Sequence, residues 1–401
     1  MNFELIRKLT KPAGTKMILL VLDGLGGLPI DERDQTELEK ANTPHLDDLA
    51  KKGICGLHQP IGPGITPGSG PSHLALFGYD PIRFQVGRGI LAALGINFDL
   101  KKNDVAARGN FCTVDQQGRV TDRRAGRIPT EKNRELCEKL QKISIPGVDI
   151  FIDTVKEYRF LLVLRSENLS GQLADTDPQN TGMKPLAPKA LTSGAEPTAE
   201  LVKQFIEKAG KVLAEDYPAN MVLMRGFSQK PDWPVFSDIF GIKAAAIAAY
   251  PMYRGVSRLV GMDILETGES LENEITTLEK NWNGYDFFYF HIKKIDSAGE
   301  DGDYNRKVSL IEEADAAVGR IMKLNPDVVV VTGDHSTPSF IKNHSWHPVP
   351  VLLWSRYCRN DTVTQFGERA CMAGGLGSRF PAVDLMPLMM ANAGRLEKFG
   401  A

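Results

Sequence analysis

Short, unbroken apolar runs alternate along this chain with stretches of mixed apolar and polar positions at helical spacing. Met17-Ile-Leu-Leu-Val-Leu22 is apolar throughout, too short for a buried helix, and predicts a strand covered on both faces of a parallel sheet. Thr43-Pro44 followed by Leu46, Leu49 and Gly53 predicts a helix with an N-cap, proline at its first position and a glycine stop, and Ile54 to Leu57 predicts a second strand after it. The pattern returns late in the chain. Phe287 to Phe290 is a short apolar strand, and residues 305 to 324 place Val308, Ile311, Val318 and Ile321 on one helical face. Asn325-Pro326 stops that helix, and Val328 to Val331 forms a further strand. Met221 to Met224 and Ala244 to Ala248 are additional strand candidates. Alternating strands and helices predict an α/β fold with a mainly parallel sheet flanked by helices.

The texture changes between about residues 101 and 220. Charges are dense, turn signals recur (Gln117-Gly118, Pro146-Gly147, Asp177-Pro178), and strands such as Phe160 to Leu164 are bounded by polar stretches. This predicts a discontinuous core, residues 1–100 and 221–401, interrupted by an inserted α+β cap over 101–220, with hinges near residues 100 and 220.

Composition narrows the classes. Over 401 residues, 42% are hydrophobic and 24% charged, which excludes disordered and collagen-like chains. Lys plus Arg (48) nearly balances Asp plus Glu (50), so nucleic acid and anionic membranes have no support from net charge. No apolar run approaches a membrane span, and the first fifteen residues lack the apolar segment of a signal peptide. Five scattered cysteines without a C-x-x-C pair read as free thiols in a reducing compartment, so a cytoplasmic location is expected.

The candidate chemistry lies where strands end. Leu22 runs into Asp23, Phe290 leads through His291-Ile-Lys-Lys-Ile to Asp296, and Val331 leads through Thr332-Gly333 to Asp334-His335. In open parallel sheets the ligand crevice lies at the carboxyl ends of strands, so these carboxylates and imidazoles can converge as metal ligands despite their separation in sequence. Each acid alone also fits an ordinary cap or turn. Four of the seven histidines, His291, His335, His344 and His347, fall in this late stretch. Pro67-Gly-Ser69-Gly-Pro-Ser-His73 leads into a helical stretch, a setting in which Ser69 exposes its hydroxyl beside backbone N–H donors and becomes a candidate nucleophile toward a phosphoryl group.

These motifs together resemble the cofactor-independent phosphoglycerate mutases of the archaeal type, within the alkaline phosphatase superfamily. The likeness runs through Asp23-Gly-Leu-Gly-Gly27, Ala41-Asn-Thr-Pro-His45, Pro67-Gly-Ser-Gly-Pro-Ser-His73, Phe77-Gly-Tyr-Asp-Pro81 and Tyr250-Pro-Met-Tyr-Arg254. It continues in His291-Ile-Lys-Lys-Ile-Asp296, Thr332-Gly-Asp-His335-Ser-Thr-Pro338 and His344-Ser-Trp-His-Pro348-Val-Pro350. The resemblance implies interconversion of 3-phosphoglycerate and 2-phosphoglycerate through a phosphoserine intermediate, with two divalent metals and no 2,3-bisphosphoglycerate. Manganese is the first expectation, with magnesium, zinc or cobalt as alternatives. Asp23, Ser69, Asp334 and His335 would hold one ion, Ser69 being also the nucleophile; Asp296, Glu300 and His344 would hold the other. Glu300 stands where the pattern usually has histidine, and His347 is expected beside a ligand or as a substitute nitrogen donor.

An anionic substrate needs counter-charge. Guanidinium groups match carboxylate and phosphate bidentately, and Arg108, Arg127, Arg225 and Arg254 are the candidates, with Asp175 or Asp177 as a proton shuttle. The rival reading keeps the site and changes the outcome: a phosphomonoesterase or phosphotransferase of the same superfamily acting on another small phosphorylated metabolite. A metal-binding protein without activity is the third. The partner is a small molecule in the first two readings, and the sequence sets no oligomeric state.

Overall fold

The computed structural model describes residues 1–29 and 34–400. In chain order its strands are β1 (Met17–Leu22), β2 (Ile54–Gln59), β3 (Val105–Val114), β4 (Val120–Asp122), β5 (Asp149–Lys156) and β6 (Arg159–Arg165). They continue with β7 (Met221–Ser228), β8 (Ala244–Ile247), β9 (Asp263–Ile264), β10 (Phe287–Ile292), β11 (Val328–Thr332), β12 (Val349–Ser355) and β13 (Gly377–Pro381). The chain divides into two compact units, one made of Met1–Gln85 with the chain from Pro234 onward, the other Val86–Trp233.

In the first unit eight strands form one sheet in the order β13-β2-β12-β11-β1-β10-β8-β9. β1 is central and pairs in parallel with β10 and β11; β8 and β9 continue in parallel beyond β10, whereas β12 runs antiparallel to both β11 and β2. Every residue of β1 is buried. Ile18, Leu20 and Leu22 face one core with Phe288, Phe290, Val329, Val331 and residues of the helices Pro44–Lys52 and Tyr304–Met322, while Met17, Leu19 and Val21 point to the opposite side. Two covered faces are what an uninterrupted apolar run requires, each buried aliphatic side chain being worth about 1.5–3 kcal/mol. Pro44 opens its helix and Gly53 closes it, as the sequence pattern indicates. β2 has the direction of β1 but lies three places away, with β11 and β12 between them, so the β-α-β start is not a pair of neighbouring strands.

The second unit carries its own antiparallel sheet, β4-β3-β6-β5, with β7 also paired to β3. The helices Thr130–Leu140 and Glu196–Val212 contribute Leu136, Val202 and Phe205 to a core with Phe111, Phe160 and Leu162. Its bounds differ from the expected 101–220. The helix Arg88–Gly95 and β7 both belong here, and β7, counted with the core from its sequence, lies instead along β3 with Arg225 opposite Arg108. An apolar strand carries no mark of which sheet it joins; that is decided by the partner it meets. Among the described residues, no helix is long and apolar enough to cross a membrane.

Gly89 shows how closely the helix Arg88–Gly95 approaches β3: a Cβ there would meet the Ala106 carbonyl oxygen at 2.2 Å. Backbone cannot yield as a flexible side chain can, so G89A is expected to destabilise the inserted unit by about 1–3 kcal/mol, measured by denaturant unfolding of wild type and variant.

Candidate metal centre and nucleophile

Asp23 follows directly on β1, Asp334 and His335 follow β11, and Asp296 sits in the first turn of the helix Lys294–Asp301 after β10. The parallel pairing of β10, β1 and β11 brings these three strand ends side by side. His344 comes from the segment between β11 and β12. Two groups of donor atoms result, Asp23–Asp334–His335 and Asp296–His335–His344, each with its ligand atoms within 4.8 Å of one another. His335 belongs to both.

The donors suit divalent cations. Asp23, Asp334 and His335 are fully buried, and Asp23 Oδ1 and Asp334 Oδ2 make no hydrogen bond among the described residues. Burial and the neighbouring Asp23 charge push the Asp334 carboxyl well above the usual carboxylate range. Burial alone would raise Asp23 as well, but the Lys293 ammonium, 3.2 Å from Asp23 Oδ2, outweighs it with help from His291 and His335 and holds Asp23 well below that range. Lys293 also contacts Asp296, so it is the cation that both carboxylates share. Orphaned carboxylate oxygens and like charges forced together are the conditions that a bound dication relieves.

Neighbouring hydrogen bonds aim the imidazoles. Thr337 Oγ1 donates to Asp296 Oδ1 at 2.8 Å and lies 2.9 Å from His335 Nδ1. A hydroxyl has one hydrogen, so the threonine accepts from His335 Nδ1–H and leaves Nε2 with a free lone pair. That nitrogen is 3.1 Å from Asp334 Oδ2 and 3.5 Å from Asp23 Oδ1. Burial and the adjacent His344 push the His335 imidazole down to about 3, which keeps it neutral and able to ligate. His344 Nδ1 donates to the Pro67 carbonyl at 2.9 Å, which turns Nε2 toward Asp296 Oδ1, 3.8 Å away; its ring stacks on His335 at 3.6 Å.

Ser69 is the first residue of the helix Ser69–Leu76, after Gly68 at the N-cap. Its partly exposed hydroxyl lies 3.2 Å from His335 Nε2. The predicted nucleophile thus meets a predicted ligand at a helix N-terminus, where backbone N–H groups favour a phosphoryl anion. His73, one turn further along the same helix, is buried 3.4 Å from Asp334. Tyr253 donates its hydroxyl to Asp23 and stacks on His291 at 3.6 Å.

Two expected donors are not gathered. Glu300 occupies the last turn of the helix that carries Asp296, its side chain is exposed, and it belongs to neither donor group. His347 lies outside them too, with Nδ1 3.0 Å from Ser345 Oγ; its carbonyl accepts from Ser336 Oγ instead.

In the inserted unit Arg123 holds the fully buried Asp177 through two hydrogen bonds of 2.9 and 2.7 Å. Burial alone would raise the Asp177 carboxyl, but Arg123, the Gln179 amide and Arg225 outweigh it and hold it below its ordinary value. Asp175 accepts from the Gly226 amide and the Arg225 guanidinium and remains partly exposed. Arg108 and Arg225 are cross-strand neighbours, whereas Arg127 is an exposed turn residue with φ 54°. Arg254, in the core unit, pairs with Glu266. Arg88 joins the cationic set unannounced by the sequence; burial and the neighbouring Arg225 lower its pKa, against the opposing pull of Asp175. Lys293, Tyr253 and Thr337 were equally unassigned; each lies inside a motif quoted above, next to a ligand.

A family profile described as 2,3-bisphosphoglycerate-independent phosphoglycerate mutase matches residues 50–220. A probable enzyme of that name from Aquifex aeolicus is 52% identical over 99% of this chain and 100% of its own length, and one from Thermus thermophilus is 48% identical over 100% and 99%. Among solved structures, a Pyrococcus horikoshii protein is similar at 33% identity and a TM-score of 0.83, covering 96% of this chain and 99% of its own. A cofactor-independent phosphoglycerate mutase from Thermoplasma acidophilum is similar at 30% identity and 0.69, covering 95% and 100%.

Two tests follow from this geometry. H344A is expected to lose one bound divalent ion per chain and E300A to keep both, as read by elemental analysis after equilibration with manganese. Because the Asp177 carboxyl is depressed in the folded state, its contribution is present above its unfolded value near pH 4 and lost as pH falls further. D177N is therefore expected to be less stable than wild type by about 1–3 kcal/mol at pH 7, with the difference shrinking progressively as pH falls below about 4, followed by urea unfolding.

Proposed function

Because the chain belongs to the 2,3-bisphosphoglycerate-independent phosphoglycerate mutases, we propose that it interconverts 3-phosphoglycerate and 2-phosphoglycerate through a phosphoserine at Ser69, as a glycolytic and gluconeogenic enzyme of the cytoplasm. The observation that carries this reading is the approach of Ser69 Oγ to His335 Nε2 at a helix N-terminus, between two carboxylate–imidazole clusters. Asp23, Ser69, Asp334 and His335 would hold one divalent ion, and Asp296 and His344 would hold the other. Manganese is the proposed ion, with magnesium, cobalt or zinc as substitutes, since carboxylates mixed with imidazoles accommodate each of them. When bound, such ions supply the positive charge that lowers the serine pKa and neutralises phosphoryl oxygens.

The protein's own groups supply the rest. Ser69 Oγ takes the phosphoryl group in line as the bond to the C3 oxygen of the substrate breaks, and the departing glycerate oxygen gains a proton. Glycerate then presents its C2 hydroxyl, and the return transfer frees Ser69. The helix N-terminus beneath Ser69 and the Lys293 ammonium bind the phosphoryl oxygens as charge shifts between serine and glycerate. Within the inserted unit Arg108 and Arg225 are the proposed carboxylate-binding groups, with Arg88 adding to their positive field, and Asp175 is the proposed proton carrier. Arg254 serves the phosphate. Retention of glycerate between the two transfers is what separates a mutase from a phosphatase.

The purified protein with manganese is expected to form 2-phosphoglycerate from 3-phosphoglycerate without added 2,3-bisphosphoglycerate, and a chelator to stop it. Release of inorganic phosphate in place of 2-phosphoglycerate would instead identify an esterase. S69A is expected to lower kcat by more than about a thousand-fold, in a coupled enolase assay.

A further inference from the structure

A buried ammonium lies behind the metal centre, outside the groups assigned above. Lys307, in the first turn of the helix Tyr304–Met322, has a side chain with no solvent exposure. Its Nζ donates to the Gly26 carbonyl at 3.1 Å and to the Thr337 carbonyl at 2.9 Å. Gly26 belongs to the loop that follows Asp23, and Thr337 to the loop that follows Asp334 and His335. Gly26 O also accepts the Thr337 amide at 3.0 Å. One cation thus ties together the two loops that bear the ligands from β1 and β11.

Thr337 gives this tie its consequence. Its hydroxyl is the group that donates to Asp296 and accepts from His335. Its carbonyl, held by Lys307, is also the surface on which the Asp296 helix rests: a Cβ on Gly299 would fall 2.3 Å from that oxygen. Gly24, at φ 65°, brings the β1 loop to the same point, where a Cβ would lie 2.7 Å from Thr337 Oγ1 and 2.9 Å from Asp296 Cα. A shift of the Thr337 main chain therefore moves His335 and Asp296 together. Glu37 supplies the counter-charge: its Oε1 is 3.9 Å from Lys307 Nζ and accepts the Ser339 amide at 2.8 Å, and it too is fully buried. Burying an ion pair outside the reaction is costly and a hydrophobic pair of the same volume would fill the space, so geometric control of the loops is the benefit that remains.

We infer that Lys307 is a positioning residue for both metal sites: its ammonium, balanced by Glu37, sets the Thr337 main chain and through it the spacing of His335 and Asp296. The inference rests on the two-metal reading. Its test is manganese titration of the metal-free protein by calorimetry, for wild type and K307M, a substitution that keeps the length of the side chain and removes its donors. K307M is expected to bind manganese about 10–100-fold more weakly while keeping the wild-type far-UV spectrum, and at saturating manganese to show a lower kcat with KM for 3-phosphoglycerate within about twofold of wild type. K307Q, which retains one amide donor, is expected to fall between the two and serves if K307M does not fold. Wild-type manganese affinity in a folded variant, even with a lowered melting temperature, would mean that Lys307 only supports the fold and would overturn the inference. Failure of the wild-type protein itself to bind two ions would overturn the two-metal reading instead.

Discussion

Three carboxylates, Asp23, Asp296 and Asp334, are withdrawn from water at adjoining strand ends, and the repulsion among them is the constraint that organises the core unit. A protein interior tolerates such a concentration of like charge only when cations, protons or aimed dipoles answer it. Here the answers are graded. Lys293 neutralises part of the charge and holds Asp23 ionised, Asp334 is driven toward its protonated form, and Tyr253, Gly24 and Thr337 turn donors onto the oxygens that remain. What is left over is a set of carboxylate oxygens and imidazole nitrogens whose donor chemistry suits divalent cations.

The same constraint accounts for the tautomers. Because Thr337 spends its single hydrogen on Asp296, His335 must offer Nδ1–H to it and keep Nε2 open. The Pro67 carbonyl accepts from His344 Nδ1 and so turns its Nε2 toward Asp296. Pro67 stands just ahead of Ser69, so the segment that delivers the nucleophile also orients a ligand of the second cluster.

Much of this was legible in the sequence, for reasons that can be named. Continuous apolar runs marked β1, β10 and β11 because both faces of their sheet are covered, and acids placed directly after such strands marked the crevice end. The boundaries of the inserted unit were read less well: β7 is as apolar as a core strand, and only its pairing with β3 shows where it belongs. Glu300 was expected as a ligand because it stands where the family pattern has a histidine four positions after the aspartate. Its helix ends immediately afterwards at Gly302, which adopts φ 78°, and the side chain emerges at the surface while Asp296 stays buried. Lys307 was invisible for a different reason. Nothing in a helical pattern separates a lysine that reaches inward to two carbonyl groups from one that reaches out to water.

The placement of β1 also bears on the order in which the protein can be built. Both of its sheet neighbours, β10 and β11, are encoded beyond residue 286, whereas every strand of the inserted sheet lies between residues 105 and 228. During synthesis from the N-terminus the inserted unit is therefore complete while the most apolar strand of the core still has two unpaired edges. The nascent chain must shield that strand, on its own or with a chaperone, until the last third of the polypeptide emerges.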